Sequence, residues 1–552
     1  MSIPLQGSWH VWKCATLTMF VVVLGRHSLT AQVPAWTLAP WLGGEEENRE
    51  RLSHLLGGGG KAEFLLRSPS TSLDRLATSA GSRQLTLLAP EILLVHNSAM
   101  PFSLNDGALW AGRGWSQRLR GGIQAKWGRV RLTLAPEFIA TENLWYELPP
   151  PQVRLPQSAD RSPFANPWHV GDYSIDAPLR FGERGLRFLD LGQSTLAVDV
   201  GAVVVGLSTE NEWWGPGIRN ALVMSSHAAG IPRAVVRTAR PLRTPVGTVS
   251  GRWMLGGLFE SDYFDASGLN DRRSLNAIAG SWTPPGVPDL TLGITRAVYA
   301  PLTRWSDVFA HGLDVLRDRG RRVPPNDSTP RPARDQILSL FGRWVFPRDG
   351  FAVHFEWART DPPRSLRDLL VDPSHSQGYT LGLEWARAVR DGRGAVRLQA
   401  EVTYLENSPS SRHRREPSFY TGAATPQGYT HRGQVVGAGI GQGASSQWIG
   451  LDYFAPTWRV GLFGGRIRWD DDALYSFEGF YANKWCAHDV SLFGGIAAAL
   501  ATPIGRLEGT LAQGQRLNVF FYHLTWCGPT AAPIDILDVT NTTLELRWSV
   551  SP

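Results

Sequence analysis

Val396-Arg-Leu-Gln-Ala-Glu-Val-Thr-Tyr404 is the stretch whose reading decides the fold. Val396, Leu398, Ala400, Val402 and Tyr404 fall on one face of an extended chain, and Arg397, Gln399, Glu401 and Thr403 on the other. Successive side chains of a strand point to opposite faces, so this alternation predicts a strand with one apolar and one charged face. Phe351-Ala-Val-His-Phe-Glu-Trp357 repeats it, with His354 and Glu356 on the polar face. Arg129-Val-Arg-Leu-Thr-Leu134, Leu290-Thr-Leu-Gly-Ile294 and Leu544-Glu-Leu-Arg-Trp-Ser-Val550 do the same.

A soluble sandwich shares that period, so three further features select between the two. The polar face carries Arg, Glu and His, as a wet interior requires, whereas the apolar face carries large aromatics. The chain has 23 Trp, and Trp357, Trp385 and Trp548 close strands, as in the aromatic girdles at membrane interfaces. Connections alternate between tight turns (Thr244-Pro-Val-Gly247, Phe346-Pro-Arg-Asp-Gly350, Arg390-Asp-Gly-Arg-Gly394, Thr502-Pro-Ile-Gly505) and long polar loops near 301–335, 360–378 and 406–431. Short periplasmic turns facing long external loops mark an outer-membrane barrel. The expected fold is all-β: a large antiparallel transmembrane β-barrel of about 16–18 strands over residues 83–552. One closed sheet accounts for most of the 552 residues, which would otherwise suggest several domains.

Residues 1–31 read as a cleaved signal peptide. Lys13 precedes the apolar run Cys14–Leu24, and small Ala31 marks the cleavage site. No later stretch approaches the roughly 18 apolar residues of a membrane helix. The expected location is therefore the outer membrane of a Gram-negative cell, among its lipids. Residues 32–82 read as a small periplasmic helical region. Glu45–Glu47 begin a helix carrying Leu52, Leu55 and Leu56 on one side, Gly57–Gly60 stop it, and Ser70 or Ser72 caps a second.

Basic residues number 55 against 49 acidic, for a net charge of +6, and nearly all the positive charge is Arg. No basic run of the kind that binds nucleic acid occurs. Three Cys occur, and Cys14 lies in the signal segment. The turn parity puts Cys486 and Cys527 on the same external side, where a disulfide is a candidate. No nucleophile elbow, zinc-binding helix motif, phosphate loop or paired Cys motif occurs, so no catalytic residue, metal or cofactor is expected. Asp470-Asp-Asp472 reads as a solvated acidic turn rather than a cation site.

The most specific stretch is Ser208-Thr-Glu-Asn-Glu-Trp-Trp-Gly-Pro-Gly-Ile-Arg-Asn220, running on to Pro232 and to Arg240-Pro-Leu-Arg243. It resembles the capsule assembly Wzi family, whose hallmark is a Trp-Trp-Gly-Pro-Gly core followed by Asn, Ser and Pro. Asp106-Gly-Ala-Leu-Trp-Ala-Gly-Arg-Gly114 and His431-Arg-Gly-Gln-Val-Val-Gly-Ala-Gly-Ile-Gly441 fit the same family. The resemblance implies a barrel of about eighteen strands with a plugged lumen, acting as a lectin that retains capsular polysaccharide, and not an enzyme. It also implies a three-helix periplasmic bundle, for which residues 32–82 leave too little room.

Within this motif, Gly215-Pro216-Gly217 predicts a type II turn with positive φ at Gly217, inside a plug around 208–245. Trp213 and Trp214 offer indole faces to sugar rings, Glu210, Glu212 and Asn220 hydroxyl partners, and Arg219, Arg240 and Arg243 partners for uronic carboxylates. The alternative is that this core only packs the plug. The expected partner is a capsular or other surface polysaccharide, with barrel-assembly and polysaccharide-export machinery alongside, and the chain is expected to be a monomer. Two rival functions are a diffusion channel for sugars or anions and an outer-membrane hydrolase.

Overall fold

The computed structural model describes residues 36–37, 41–58, 64–76, 83–148, 162–169, 174–265, 271–310, 312–317, 334–360, 365–389, 392–412, 416–422, 424–476, 488–521 and 537–550. The signal-peptide segment and both candidate disulfide cysteines, Cys486 and Cys527, lie outside them.

Eighteen antiparallel strands close into a barrel. In order they are β1 (Arg83–Asn97), β2 (Gly114–Trp127), β3 (130–141), β4 (186–200), β5 (Val203–Ser208), β6 (233–244), β7 (Gly247–Phe259), β8 (Arg272–Thr283) and β9 (Leu290–Pro301). They continue as β10 (Asp335–Phe346), β11 (Phe351–Arg359), β12 (Gln377–Val389), β13 (Gly394–Tyr404), β14 (Ser445–Phe454), β15 (Trp458–Trp469), β16 (Asp489–Thr502), β17 (Gly505–Leu517) and β18 (Val539–Ser549). Each pairs with the next, and β18 pairs with β1 (Leu544 opposite His96, Trp548 opposite Ile92), which closes the sheet. Strands β3, β4 and β6 are interrupted by short irregular steps.

The alternation that predicts strands also predicts their facing. On β13, Arg397, Gln399, Glu401 and Thr403 are buried inside, and Val402 faces outward. Exposed Leu340, Phe355, Leu381, Ile449, Leu462, Ile496 and Leu511 continue an apolar outer belt around the wall. Exposed Trp127, Trp282, Trp344, Trp385 and Trp458 ring the end that carries the short turns, as a girdle should. All nine long connections leave the opposite end, which in an outer-membrane barrel is the cell-surface end.

Helix α1 (Glu45–Leu55) sits against the inner wall at the short-turn end. Its acidic first turn meets β15, where Arg459 donates to Glu45 at 2.6 Å. Arg397 donates to Asn48 at 3.0 Å, and Leu52 and Leu55 pack on Val345, Ala352, Ala386, Ala395 and Phe454. The predicted stop holds, with Gly57 at φ 76°. Helix α2 (Pro69–Leu76) is capped by Ser68, not by Ser70 or Ser72. Pro69 occupies the first helical position, and Ser68 and Thr71 exchange backbone-to-side-chain hydrogen bonds in a reciprocal cap. Ser70 is thereby free to bind elsewhere.

Candidate functional site

The connection between β5 and β6 turns inward and, with the β13–β14 connection, fills the lumen. Glu401, on the wall, accepts hydrogen bonds from the backbone N–H groups of Ile218, Arg219 and Asn220, the last two at 2.9 Å. His354 Nε2 lies 3.2 Å from the same carboxylate. Two strands away, on β11, Glu356 accepts from Leu222 N–H at 3.0 Å and from the Ser339 hydroxyl at 2.8 Å. Two wall carboxylates thus hold successive plug amides, which satisfies donors that a buried loop would otherwise strand.

Every motif residue proposed for sugar binding between 210 and 220 has a structural partner. Trp213 and Trp214 pair as a two-residue strand with Arg67 and Leu66, and the Arg67 guanidinium lies 4.9 Å from the Trp213 ring. Trp214 is 0% exposed and donates its indole N–H to Glu212 at 2.6 Å. Arg233 and Arg252 each donate to Glu212 at 2.8 Å. Burial pushes the Glu212 carboxyl up, but Arg252 and Arg233 outweigh it and hold it at about 2. Glu210 accepts from the backbone and hydroxyl of Ser70 at 2.9 and 2.8 Å. Asn220 donates to Thr403 and Ser446, and the Arg219 guanidinium rests 5.4 Å from Trp448.

The turn itself differs from the expected type II geometry. Positive φ (114°) falls at Gly215, whereas Gly217 is needed because a Cβ there would overlap the Asn220 carbonyl oxygen. Arg240 and Arg243 are exposed at the short-turn end, beside the β6–β7 turn, and so are separated from the other candidates. Arg240→Gln with Arg243→Gln is therefore expected to leave surface polysaccharide unchanged. A fall in cell-bound polymer, assayed on washed cells, would count against that placement.

The long-loop end holds a different site: a cavity of about 220 Å³. Phe102 and Trp110 come from the β1–β2 loop, Trp168 and Phe181 from the β3–β4 loop, and Phe520 and Phe521 from the β17–β18 loop. Polar groups intervene: Ser103 and Asn166 from the first two of these loops, His227, Gln434, Gln442 and Asp470 from three others, and Arg516 from the end of β17. Trp110 and Phe181 stand 4.9 Å apart, and Trp168 meets Phe521 edge-on at 6.2 Å.

These groups are held in place. Asp470 sits 2.6 Å from His169 Nε2 and accepts from Gln442 at 3.0 Å. Asp489 takes both arms of Arg516, at 2.7 and 2.6 Å, and also the Phe520 N–H at 2.8 Å. His227 Nδ1 accepts from Asn105 N–H at 3.3 Å. Burial lowers the His227 pKa to about 4, so the ring is neutral with its proton on Nε2. Asp470, Phe520 and Phe521 take left-handed backbone conformations (φ 45°, 55° and 53°). Such conformations cost about 1–3 kcal/mol each in non-glycine residues, and they gather at binding sites. The cavity thus combines aromatic walls with a few fixed donors and acceptors, the general make-up of a small-molecule binding pocket.

The acidic turn beside it is not solvated. Asp470 is tied as above, Asp471 pairs with His488 and Arg468, and Asp472 accepts from Asn407 N–H at 2.8 Å. Burial raises the Asp472 pKa to about 7, assisted by Asp470 and opposed by the Asn407 and Ser418 hydrogen bonds and by His169. A folded pKa above the unfolded one makes this carboxyl stabilising when protonated. That contribution is complete below about pH 4 and is lost as pH rises through about 7. Amide exchange at Asn407, corrected for its intrinsic rate, is expected to quicken between pH 6 and 8 and to become flat in Asp472→Asn.

None of the candidate sugar contacts from the central motif lines this cavity. Its residues are scattered over six connections, so no local spacing announces them. The signal that was available lies in the two supporting stretches, since Trp110 belongs to 106–114, and Gly433, Gln434, Val435, Gly439, Ile440 and Gly441 belong to 431–441.

No protein-family model matches the chain. Wzi, an outer-membrane protein involved in group 1 capsule assembly in Escherichia coli and described as a carbohydrate-binding β-barrel, superposes with a TM-score of 0.51. The likeness covers 91% of this chain and 92% of that one at 11% sequence identity, which establishes a common fold. OccAB2 of Acinetobacter baumannii, at a TM-score of 0.39, 9% identity and coverages of 84% and 97%, is too distant to carry an argument. Among curated proteins, the neurotrophic factor BDNF precursor form of Procyon lotor is 28% identical over 176 residues, or 28% of this chain and 67% of that protein. That match is too partial to assign a family.

Proposed function

We infer that the chain is an outer-membrane, lectin-like barrel that binds exported capsular polysaccharide at the cell surface and helps to retain or assemble it there, without a chemical step. The observation that carries this reading is the aromatic cavity at the long-loop end, above a lumen closed by amides locked onto Glu401 and Glu356. Aromatic rings stack on the C–H faces of sugar rings, and the interleaved amides, carboxylate and imidazole pair with hydroxyls. The fold shared with a carbohydrate-binding barrel supports the same reading.

The test is direct binding of purified, refolded barrel to the capsular polymer of its own cells, followed by tryptophan fluorescence. Saturable quenching is expected. Absence of any saturable change, with the barrel intact, would remove the lectin reading. The rival channel reading is opposed by the buried, fully packed interior around Trp214, Leu222, Tyr420 and Tyr429.

A further inference from the structure

The β9–β10 connection does something the plug and the outer cavity do not require. Its first half, with helices α3 (Asp307–Ala310) and α4 (Asp314–Arg317), folds down over the outside of the barrel. Three contacts place it there. Trp305 fills the space outside Gly257, where a Cβ would come within 2.7 Å of the ring, and Gly257 alternates with Gly256, whose open side faces the plug residue Ile231. Gly312 lies against outward-facing Leu255. Arg296, on the outward face of β9, donates to the Val315 carbonyl at 2.9 Å. Val298 and Ala300, on that same outward face, are buried.

The covering loop is itself apolar on its far side. Phe309 is 75% exposed, Leu316 63%, Trp305 47% and Leu313 39%. These side chains continue the outer belt of the wall, where Ile294 and Trp282 are exposed on the same strands, up to its cell-surface margin. At that level sits positive charge. Arg304 is exposed, and Arg272 is exposed with its guanidinium 5.9 Å from the Trp305 ring. Neither makes an ion pair among the described residues. Apolar side chains flanked by Arg at a membrane margin suit an acyl chain below and an anionic headgroup above.

We propose that residues 302–310 and 312–317 form an outer collar that binds a phosphorylated glycolipid of the outer leaflet, with Phe309 and Leu316 against its acyl chains and Arg272 and Arg304 on its phosphate. The site is independent of the polysaccharide cavity and rests only on the barrel lying in a membrane.

The experiment is native mass spectrometry of the intact barrel in detergent, offered bisphosphorylated lipid A, phosphatidylethanolamine or inorganic phosphate. The wild type is expected to retain one lipid A in preference to the others. Arg272→Gln with Arg304→Gln is expected to cut retention about tenfold or more, given about 1 kcal/mol per Arg at a membrane surface. Phe309→Ser with Leu316→Ser is expected to cut it as well, and Arg240→Gln with Arg243→Gln, at the other end, is expected to leave it unchanged. The substituted side chains are exposed, and heat-modifiable gel mobility verifies that each variant is folded. Equal retention by all variants would overturn the proposal. So would phosphate binding that matches lipid A and ignores the Phe309 and Leu316 changes, or a dimer that disappears with those changes, since the loop would then cover a headgroup-only site or a second copy.

Discussion

Glu401→Ala is expected to turn a silent barrel into a conducting one. The wild-type lumen is filled by the β5–β6 connection packed on the β13–β14 connection, and in planar bilayers it should show no steady pore. Glu401 is the main tie, accepting three consecutive backbone N–H groups of the plug and facing His354. Its removal leaves three donors and an imidazole without their acceptor in a buried setting. Hydrogen bonds to a charged group contribute about 1.5–3 kcal/mol each, so the plug loses several kcal/mol of attachment, enough to populate an open form heavily. Glu401→Gln, which keeps one acceptor oxygen, should fall between. Adding Glu356→Ala releases Leu222 as well and should widen the opening. The wall is tied by continuous strand pairing, so the barrel itself should survive, as heat-modifiable mobility would show. A variant that stays silent in a folded barrel would mean that the plug is held mainly by apolar packing around Trp214 and Tyr420.

Trp168→Ala with Phe521→Ala is expected to weaken binding of the purified barrel to its polysaccharide by about tenfold or more. Truncating an aromatic anchor typically costs more than about 1 kcal/mol, and these two meet edge-on inside the cavity. Phe521 also stands in a left-handed conformation, so its position is fixed before ligand arrives, and little ordering is left to oppose binding. Both rings are buried within the loop cluster, so the loops should loosen locally, while the wall, closed by continuous strand pairing, should keep its thermal midpoint. Trp213→Ala with Trp214→Ala should do the reverse. Those rings are buried in the plug, so their loss should loosen the lumen while polymer binding persists wherever the outer loops stay ordered.

The wall of this barrel was legible because lipid on one side and a packed polar interior on the other impose a two-residue period. Val396–Tyr404 and Phe351–Trp357 carry it without interruption, and the structure turns their faces as that period requires. The broken strands were not legible. At 135–136 and 191–194 the alternation lapses where the Gln193 N–H bonds to the Ala135 carbonyl, a contact between residues far apart in the chain.

The site was less legible than the wall. Trp213-Trp214-Gly215-Pro216-Gly217 stands out because its constraints are local and severe, but they are constraints of packing. Trp214 is held by Glu212, and Gly217 by close approach to Asn220. The aromatic cavity has no such local signature. Trp110, Trp168, Phe181 and Phe521 become neighbours only when the barrel closes and gathers its loops at one end. Arg240 and Arg243, near the motif in sequence, are carried to the opposite end by the length of β6.

The central claim is that the cell-surface end of this plugged barrel holds polysaccharide. The most direct test is cell-bound against released capsular polymer in a strain lacking the gene, complemented with either the wild-type chain or Trp168→Ala with Phe521→Ala at equal barrel levels. Wild type is expected to restore the cell-bound fraction, and the double variant to leave most polymer in the medium with total synthesis unchanged. Full restoration by the double variant would contradict the account.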